Sequence, residues 1–292
     1  MKKILIISVC ILAAVGCQKN NVQKSDNGQI RFVTNLMTKA SASAFEVGDV
    51  MSIWAVEQPW EETIPLQIGG NFINNEFLTF DGAAWNSART LYWSDAPCDF
   101  YAVYPSLNNV ETVDGQTFSL PTDQNAAGVD GNPDGYESAD ILYAKAERVA
   151  RADGDVVLNF YHKMAKCSVN LVKGGKFEGE IPDDATVHIY NTVTDYVLNI
   201  ADGKLSKATF GAKKTITMKK LDNEHFEAVV VPQSIELSTP LIEVTMGGIA
   251  YLLNYSISFK PAYNHTINLI LNTSPDQEMI EINIDPEVNP WN

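Results

Sequence analysis

Val156 to Leu171 reads VVLNFYHKMAKCSVNL, and this stretch decides the fold class. Val156, Leu158 and Phe160 share one parity with Asn159 on the other, and Cys167, Val169 and Leu171 take up the same rhythm after a charged break. A period of two is the spacing of a strand with one apolar face, whereas a helix repeats at about 3.6. The break from His162 to Lys166 contains neither Gly nor Pro, so it reads as passage from one sandwich to the next rather than as a hairpin turn.

The alternation recurs outward in both directions. Toward the N-terminus it runs through Cys98, Phe100, Ala102 and Tyr104 and, earlier, through Ile30, Phe32 and Leu36. Toward the C-terminus it runs through Tyr196, Leu198 and Ile200, then Tyr251, Leu253, Tyr255 and Ile257, then Ile267, Leu269 and Leu271, and finally Ile280, Ile282 and Ile284. One buried and one wet face per strand is the signature of antiparallel sheets. Asp-Gly pairs at Asp81-Gly82, Asp114-Gly115, Asp153-Gly154 and Asp202-Gly203 supply turns, since both residue types tolerate positive φ. The expectation is an all-β chain of two antiparallel β-sandwiches, each of about 130 residues, an ordinary domain size. The first spans residues 29–162 and the second, with a terminal strand, 163–292. Residues 144–152 read as a connection. Residues 122–139, rich in Asn, Asp, Gly and Pro, read as an exposed and mobile excursion.

The first sixteen residues place the protein. Lys2 and Lys3, an apolar run from Ile4 to Val15, and Gly16 set against Cys17 read as a lipoprotein signal peptide over residues 1–16. Twelve apolar residues are too few to cross about 30 Å of hydrocarbon as a helix. Ala14 stands where such signals more often carry leucine, and a plain secretory signal is the alternative reading. Cys17 is then the lipidation site, residues 17–28 form a polar tether, and the mature chain is held at a membrane by its lipid.

Removing Lys2 and Lys3 takes 21 basic residues to 19 against 36 acidic ones, a formal charge of 19 − 36 = −17. Such a surface repels phosphate backbones and argues against nucleic acid as a partner. Cys10 leaves with the signal and Cys17 takes lipid, so only Cys98 and Cys167 remain, each on the inward parity of its strand and read as a small buried hydrophobe rather than half of a bridge.

Chemistry-bearing constellations are sparse. Asp123, Asp130, Asp134, Glu137 and Asp140 give an acidic loop whose spacing matches no calcium motif. His162, His188, His225 and His265 are far apart and lack the i, i+4 pair of a helical zinc site, so no metal or other cofactor is expected. No nucleophile elbow or phosphate-cradling glycine loop is present, and an enzyme is not expected. Among the aromatics, Trp60 and Trp85 are the two expected to be exposed, where a ring could meet a glycan or a partner protein.

The order of segments carries a family resemblance. Cys17, Ile30-Arg31-Phe32, Thr38-Lys39-Ala40, Phe45-Glu46-Val47-Gly48-Asp49, Leu91-Tyr92-Trp93 and Asp99 to Pro105 follow one another. Asp140 to Ala144, Leu158 to Lys166, Val229-Val230-Val231-Pro232-Gln233 and the Tyr263 to Leu271 strand complete the series. In this the chain resembles the fimbrillins, lipoprotein subunits of type V pili in Gram-negative anaerobes. The resemblance implies two tandem transthyretin-like sandwiches, other fimbrial subunits as partners, and a role in adhesion to a host protein or glycan. It also implies cleavage after a basic residue, which maps onto Lys39 where many relatives carry arginine, with Arg31 as the other basic candidate. Loss of the first strand would then open a groove for a strand from another subunit, with Ile280, Ile282 and Ile284 as its knobs. The competing reading of these three is that they only close their own domain. The alternative function is a surface glycan- or host-binding lipoprotein that stays anchored.

Overall fold

A computed structural model of the chain describes residues 28–36, 44–60, 62–129, 133–273 and 282–291. Cys17, Lys39 and Ile280 lie outside these residues. The N-terminal half supplies β1 (Phe32–Leu36), β2 (Val50–Glu57), β3 (Ile73–Phe80), β4 (Trp85–Ser87), β5 (Cys98–Tyr104), β6 (Gln116–Ser119), the short helix α1 (Gly135–Ala139), β7 (Leu142–Val149) and β8 (Val156–His162). The C-terminal half begins with β9 (Ala165–Lys173), β10 (Thr186–Val193), β11 (Asp195–Leu198), β12 (Leu205–Lys207), β13 (Lys213–Thr217), β14 (Lys219–Lys220) and β15 (His225–Val230). It ends with β16 (Ser234–Ile235), β17 (Pro240–Met246), β18 (Ile249–Asn254), β19 (Ile257–Ser258), β20 (Tyr263–Leu271) and β21 (Ile282–Pro290).

The all-β expectation holds. Seven strands form one sheet in the order β1-β8-β7-β5-β2-β3-β4, five form β14-β15-β9-β20-β21, and four form β13-β10-β17-β18. Lys163 and Met164 alone separate β8 in the seven-stranded sheet from β9 in the five-stranded one, so the chain changes sheet where its pattern breaks. A three-stranded sheet, β12-β11-β6, draws its third strand from the N-terminal half and stitches the halves together. Tyr143 adds to this seam by donating to the Ile200 carbonyl at 3.0 Å. Its ring lies where a Cβ at Gly203 would stand, and Gly203 also needs a φ of +68°.

Two apolar clusters fill the molecule. One packs Ile30, Phe32, Phe45, Trp85, Phe100, Leu158 and Phe160 on one face of the seven-stranded sheet. The other runs from Trp54, Tyr101 and Val103 on the opposite face through Met164 into the C-terminal strands. Cys98 sits in the first cluster and Cys167 in the second, and both are free thiols. Burial pushes them up to about 11 and about 12 respectively.

Several expectations are corrected. β5 is buried on both faces, because the excursion after it folds back over Tyr101 and Val103; even Asp99 is enclosed, accepting from Gln58 Nε2 at 3.0 Å and from the Arg148 amide at 2.7 Å. The 144–152 connection is largely strand: β7 lies between β5 and β8, whose ladders supply the hydrogen bonds that its polar residues do not advertise. The 122–139 excursion is exposed over residues 125–129, as expected, but it is pinned at Gln124 and Tyr136. Gln124 is fully buried with its amide spanning the Val229 amide and carbonyl at 2.7 Å each, and Tyr136 is buried and donates to Glu227 at 2.6 Å.

Candidate functional site

The first and last described strands carry the features that bear on assembly. β1 is an edge strand that pairs in parallel with β8, from Phe32 beside Val156 to Leu36 beside Phe160. It is held mainly by what it buries. Ile30 and Phe32 are 5% and 7% exposed, and the Phe32 ring meets Phe100 edge-on at 5.9 Å. The Ile30 amide donates to the Leu91 carbonyl at 2.8 Å, and Trp85 Nε1 donates to Thr34 Oγ1 at 3.1 Å from the core side. Beneath it, Phe45 gathers Trp85, Tyr104 and Phe160 at 5.0, 5.3 and 5.5 Å, all near-perpendicular. Removing the strand would leave this aromatic floor facing water. Arg31 stands immediately before β1 and pairs with Asp155 at 3.0 Å on the surface.

β21 is built the other way. It pairs antiparallel with β20 over nine residues, from Tyr263 beside Pro290 to Leu271 beside Ile282. Ile282 and Ile284 are half-buried against the core, whereas Asp285 to Pro290 are exposed. Pro286 and Pro290 lack an amide hydrogen and are tolerated because β21 ends its sheet. The strap is anchored just past its end. Trp291 is buried and stacks on His162, centroids 3.9 Å apart and planes at 13°, while its amide donates to the Ala262 carbonyl at 2.9 Å. His162 Nδ1 is itself 2.8 Å from Asp140 Oδ1, both side chains being almost wholly enclosed. Trp291 and its bed escaped the sequence reading; a tryptophan behind Pro290 after six polar or isolated apolar residues was the available signal.

The other candidates disperse. Trp85 is buried, its indole spent on Thr34 and Phe45, so its expected exposure is overturned: β1 crosses over it. Trp60 is 81% exposed, as expected. It rests against the Arg148 guanidinium at 5.8 Å, which also reaches the Gln58 and Pro59 carbonyls at 3.3 Å. Of the acidic loop, Asp134 caps α1 and pairs with Lys219, Asp140 turns to His162, and Glu137 faces the Tyr104 hydroxyl at 3.0 Å with Asp49 at 2.9 Å. These two carboxylates line a cleft of about 310 Å³, and with burial they drive the Tyr104 hydroxyl far above its ordinary range. Among the described residues no three His, Cys, Asp or Glu side chains are arranged to hold a metal ion. Nor is any helix among them long and apolar enough to cross a membrane.

A family model described as fimbrillin-like matches residues 38–291. A structure of a candidate cell adhesion protein from Bacteroides uniformis superposes with a TM-score of 0.66 at 18% identity, covering 91% of this chain and 99% of its own. A candidate cell adhesion protein from Bacteroides ovatus gives 0.63 at 15% identity, covering 90% and 97%. A fimbrial protein from Bacteroides vulgatus gives 0.52 at 12%, covering 90% and 99%. No curated protein matches in sequence.

Proposed function

The chain belongs to the fimbrillin-like family, whose members are adhesion-type structural subunits and not enzymes, and on that premise we propose that it is a fimbrial subunit assembled by strand exchange. It is exported as a lipoprotein through Cys17 to the outer membrane of a Gram-negative anaerobe and is cut after Lys39. The cut removes β1, and the tail of another subunit, carrying Ile280, Ile282 and Ile284, takes its place. The observation that carries this reading is the mode of attachment of β1. It is an edge strand whose ladder partner is β8, and Phe32, with Ile30 just before the strand, plugs the floor made by Phe45, Phe100 and Phe160. Strand addition suits such a groove, because backbone pairing gives affinity and alternate side chains fill pockets. Three isoleucines at about 2 kcal/mol each would supply roughly 6 kcal/mol of apolar burial.

In an isolated copy the tail occupies its own β20, so exchange must first lift β21 and Trp291 from their bed. Mapping the N-terminus of the protein on cells tests the proposal, Ala40 being expected. Trimming after Lys39 in vitro should then give ladders on gels, and a trimmed species that stays strictly monomeric would remove this route.

A second reading rests on Trp60. An indole presented on a short segment and braced by Arg148 suits contact with the apolar face of a sugar or with a host protein, as in a lipoprotein that stays anchored. Glycan-array binding lost in Trp60→Ala would support it, and an array silent for the wild-type chain would remove it.

A further inference from the structure

Gly28, the first described residue, fixes the end of the molecule from which the upstream chain departs. A Cβ at Gly28 would stand 3.6 Å from the Arg151 guanidinium, and the Gly28 carbonyl accepts from the Trp93 amide at 2.8 Å. The register of the seven-stranded sheet gathers five strand ends here. Phe32 opens β1 beside Val156 at the start of β8, and Cys98 opens β5 between Glu57 at the end of β2 and Val149 at the end of β7. Gly28 follows Cys17 by eleven positions, a length of chain that spans at most about 40 Å when fully extended.

This end also presents aromatic rings to solvent. Trp60, three residues past β2, is 81% exposed, and Tyr92, bridged to Gln29 at the exit of the chain, is 57% exposed. Trp60 is held in place rather than free to swing. Arg148 lies over its ring at 5.8 Å while reaching the Gln58 and Pro59 carbonyls, and the Pro59 carbonyl also accepts from the Glu62 amide at 3.2 Å. A braced ring has little freedom left to lose on contact. Charge at this end is mixed, with Arg31, Arg148 and Arg151 standing among Glu57, Glu62 and Asp155.

We infer that this end is a membrane-facing pole, with Trp60 and Tyr92 seated in the headgroup zone of the bilayer that holds Cys17. The inference rests on the lipoprotein reading of Cys17. The length of the upstream chain chooses the occupant. With Cys17 in the bilayer, Gly28 is never more than about 40 Å from it, so contact between this pole and lipid is intramolecular and a weak affinity suffices. The residue types agree, since indole and phenol rings carry an apolar body and a polar tip and collect at membrane interfaces. The mixed charge makes zwitterionic headgroups the fitting partner. Cleavage after Lys39 would sever the link, so the contact belongs to the anchored form, where it competes for Trp60 with the glycan reading.

The chain beginning at Cys17 holds every described residue and can be coupled through that thiol to a maleimide lipid in phosphatidylcholine vesicles, because Cys98 and Cys167 are buried. Replacing the lipid by phosphatidylcholine brominated near the top of its acyl chains should quench part of the tryptophan emission. Trp60→Ala should remove most of that quenching, since Trp54, Trp85 and Trp291 are buried and Trp93 is half-buried. Phe210→Ala, which deletes a ring 99% exposed in the turn between β12 and β13, should leave it unchanged. Emission indifferent to bromine, or quenching that survives Trp60→Ala, overturns the assignment. So does an unquenched Trp60 whose loss abolishes binding to a glycan array, which would make a sugar the occupant. The coupling supplies the lipid, so these outcomes are separate from the reading of Cys17 itself, which fails if the cellular protein carries no acyl group there.

Discussion

β1 and β21 are both terminal edge strands, yet they are held by opposite means. β1 pairs with β8 over five residues, and what holds it over a floor of aromatic rings is the burial of Phe32 and of Ile30 just before it. Nine residues of β21 lie along the outside of β20, and what binds them is a backbone ladder, two half-buried isoleucines and one stacked tryptophan. Apolar burial is lost all at once when a strand leaves, whereas a ladder on an exposed edge exchanges protein hydrogen bonds for water at small net cost per bond. A plug and a strap therefore differ in what their departure leaves behind: a hydrophobic groove in one case, a wet and partly charged edge in the other.

The largest test of that contrast is to remove β1. Deleting residues up to Lys39 forfeits Ile30 and Phe32, about 2 to 3 kcal/mol each, in a fold whose total stability is of order 5 to 15 kcal/mol. The N-terminal half should lose most of its thermal transition and bind a hydrophobic dye. Deleting residues 282–292 should lower the melting temperature far less and leave dye binding near baseline. Equal effects from the two truncations would erase the distinction between plug and strap.

Next in size is the anchor. Trp291→Ala removes the stacked ring and should cost about 3 kcal/mol, at the lower end for loss of a buried aromatic. The loss is local, so amide exchange across Ile282–Pro290 should rise sharply while β8 and β9 keep their protection. His162→Ala should reproduce the fast exchange of β21, and His162→Phe, which keeps a ring under the indole, should restore much of it. Protection of β21 unchanged in Trp291→Ala would mean that the ladder alone holds the strap.

How much of this contrast was legible beforehand follows from what decides each feature. The strands β8, β9 and β20 announce themselves because one face is buried and the other wet, and a period of two survives in the residues. β5 and β7 were harder. Tyr101 and Val103 are outward by parity and become buried because a distant excursion returns over them, and Lys145, Glu147 and Arg148 mask a strand whose ladder partners are non-local. Trp60 and Trp85 have similar polar neighbours in sequence, yet only the second is crossed by β1. The Trp291, His162 and Asp140 cluster joins residues up to 151 positions apart, and no local pattern encodes that meeting.

A smaller effect separates the two isoleucines from the tryptophan. Ile282→Ala and Ile284→Ala each remove a half-buried side chain from a site with room to relax, so each should cost about 1 kcal/mol, well below a fully buried isoleucine. As knobs in another subunit's groove the same side chains would be fully enclosed. The two substitutions should therefore weaken exchange between trimmed subunits more than they weaken the monomer, and a competition assay between trimmed copies reads that difference directly.

The smallest expected effect is on the beds of the two strands and appears as a pH dependence. His265 lies in β20 beneath β21, enclosed, with its ring edge on Phe259 at 5.3 Å and its Nε2 accepting from the Lys260 amide at 2.9 Å. Burial holds its pKa below the ordinary 6.5, and the nearby Lys260 ammonium adds in the same direction. The folded protein therefore keeps the imidazole neutral where the unfolded chain would already take a proton, and protonation would also forfeit Nε2 as an acceptor. Stability from this site is complete above pH 6.5 and falls as the pH drops through that value toward the lowered pKa. The segment of β8 that pairs with β1, Val156 to Phe160, carries no titratable side chain. Mild acid should consequently speed amide exchange in β20 and β21 before it touches β1, and His265→Gln should flatten that response. If β1 loosened first on acidification, the C-terminal strap would not be the acid-sensitive member of the pair.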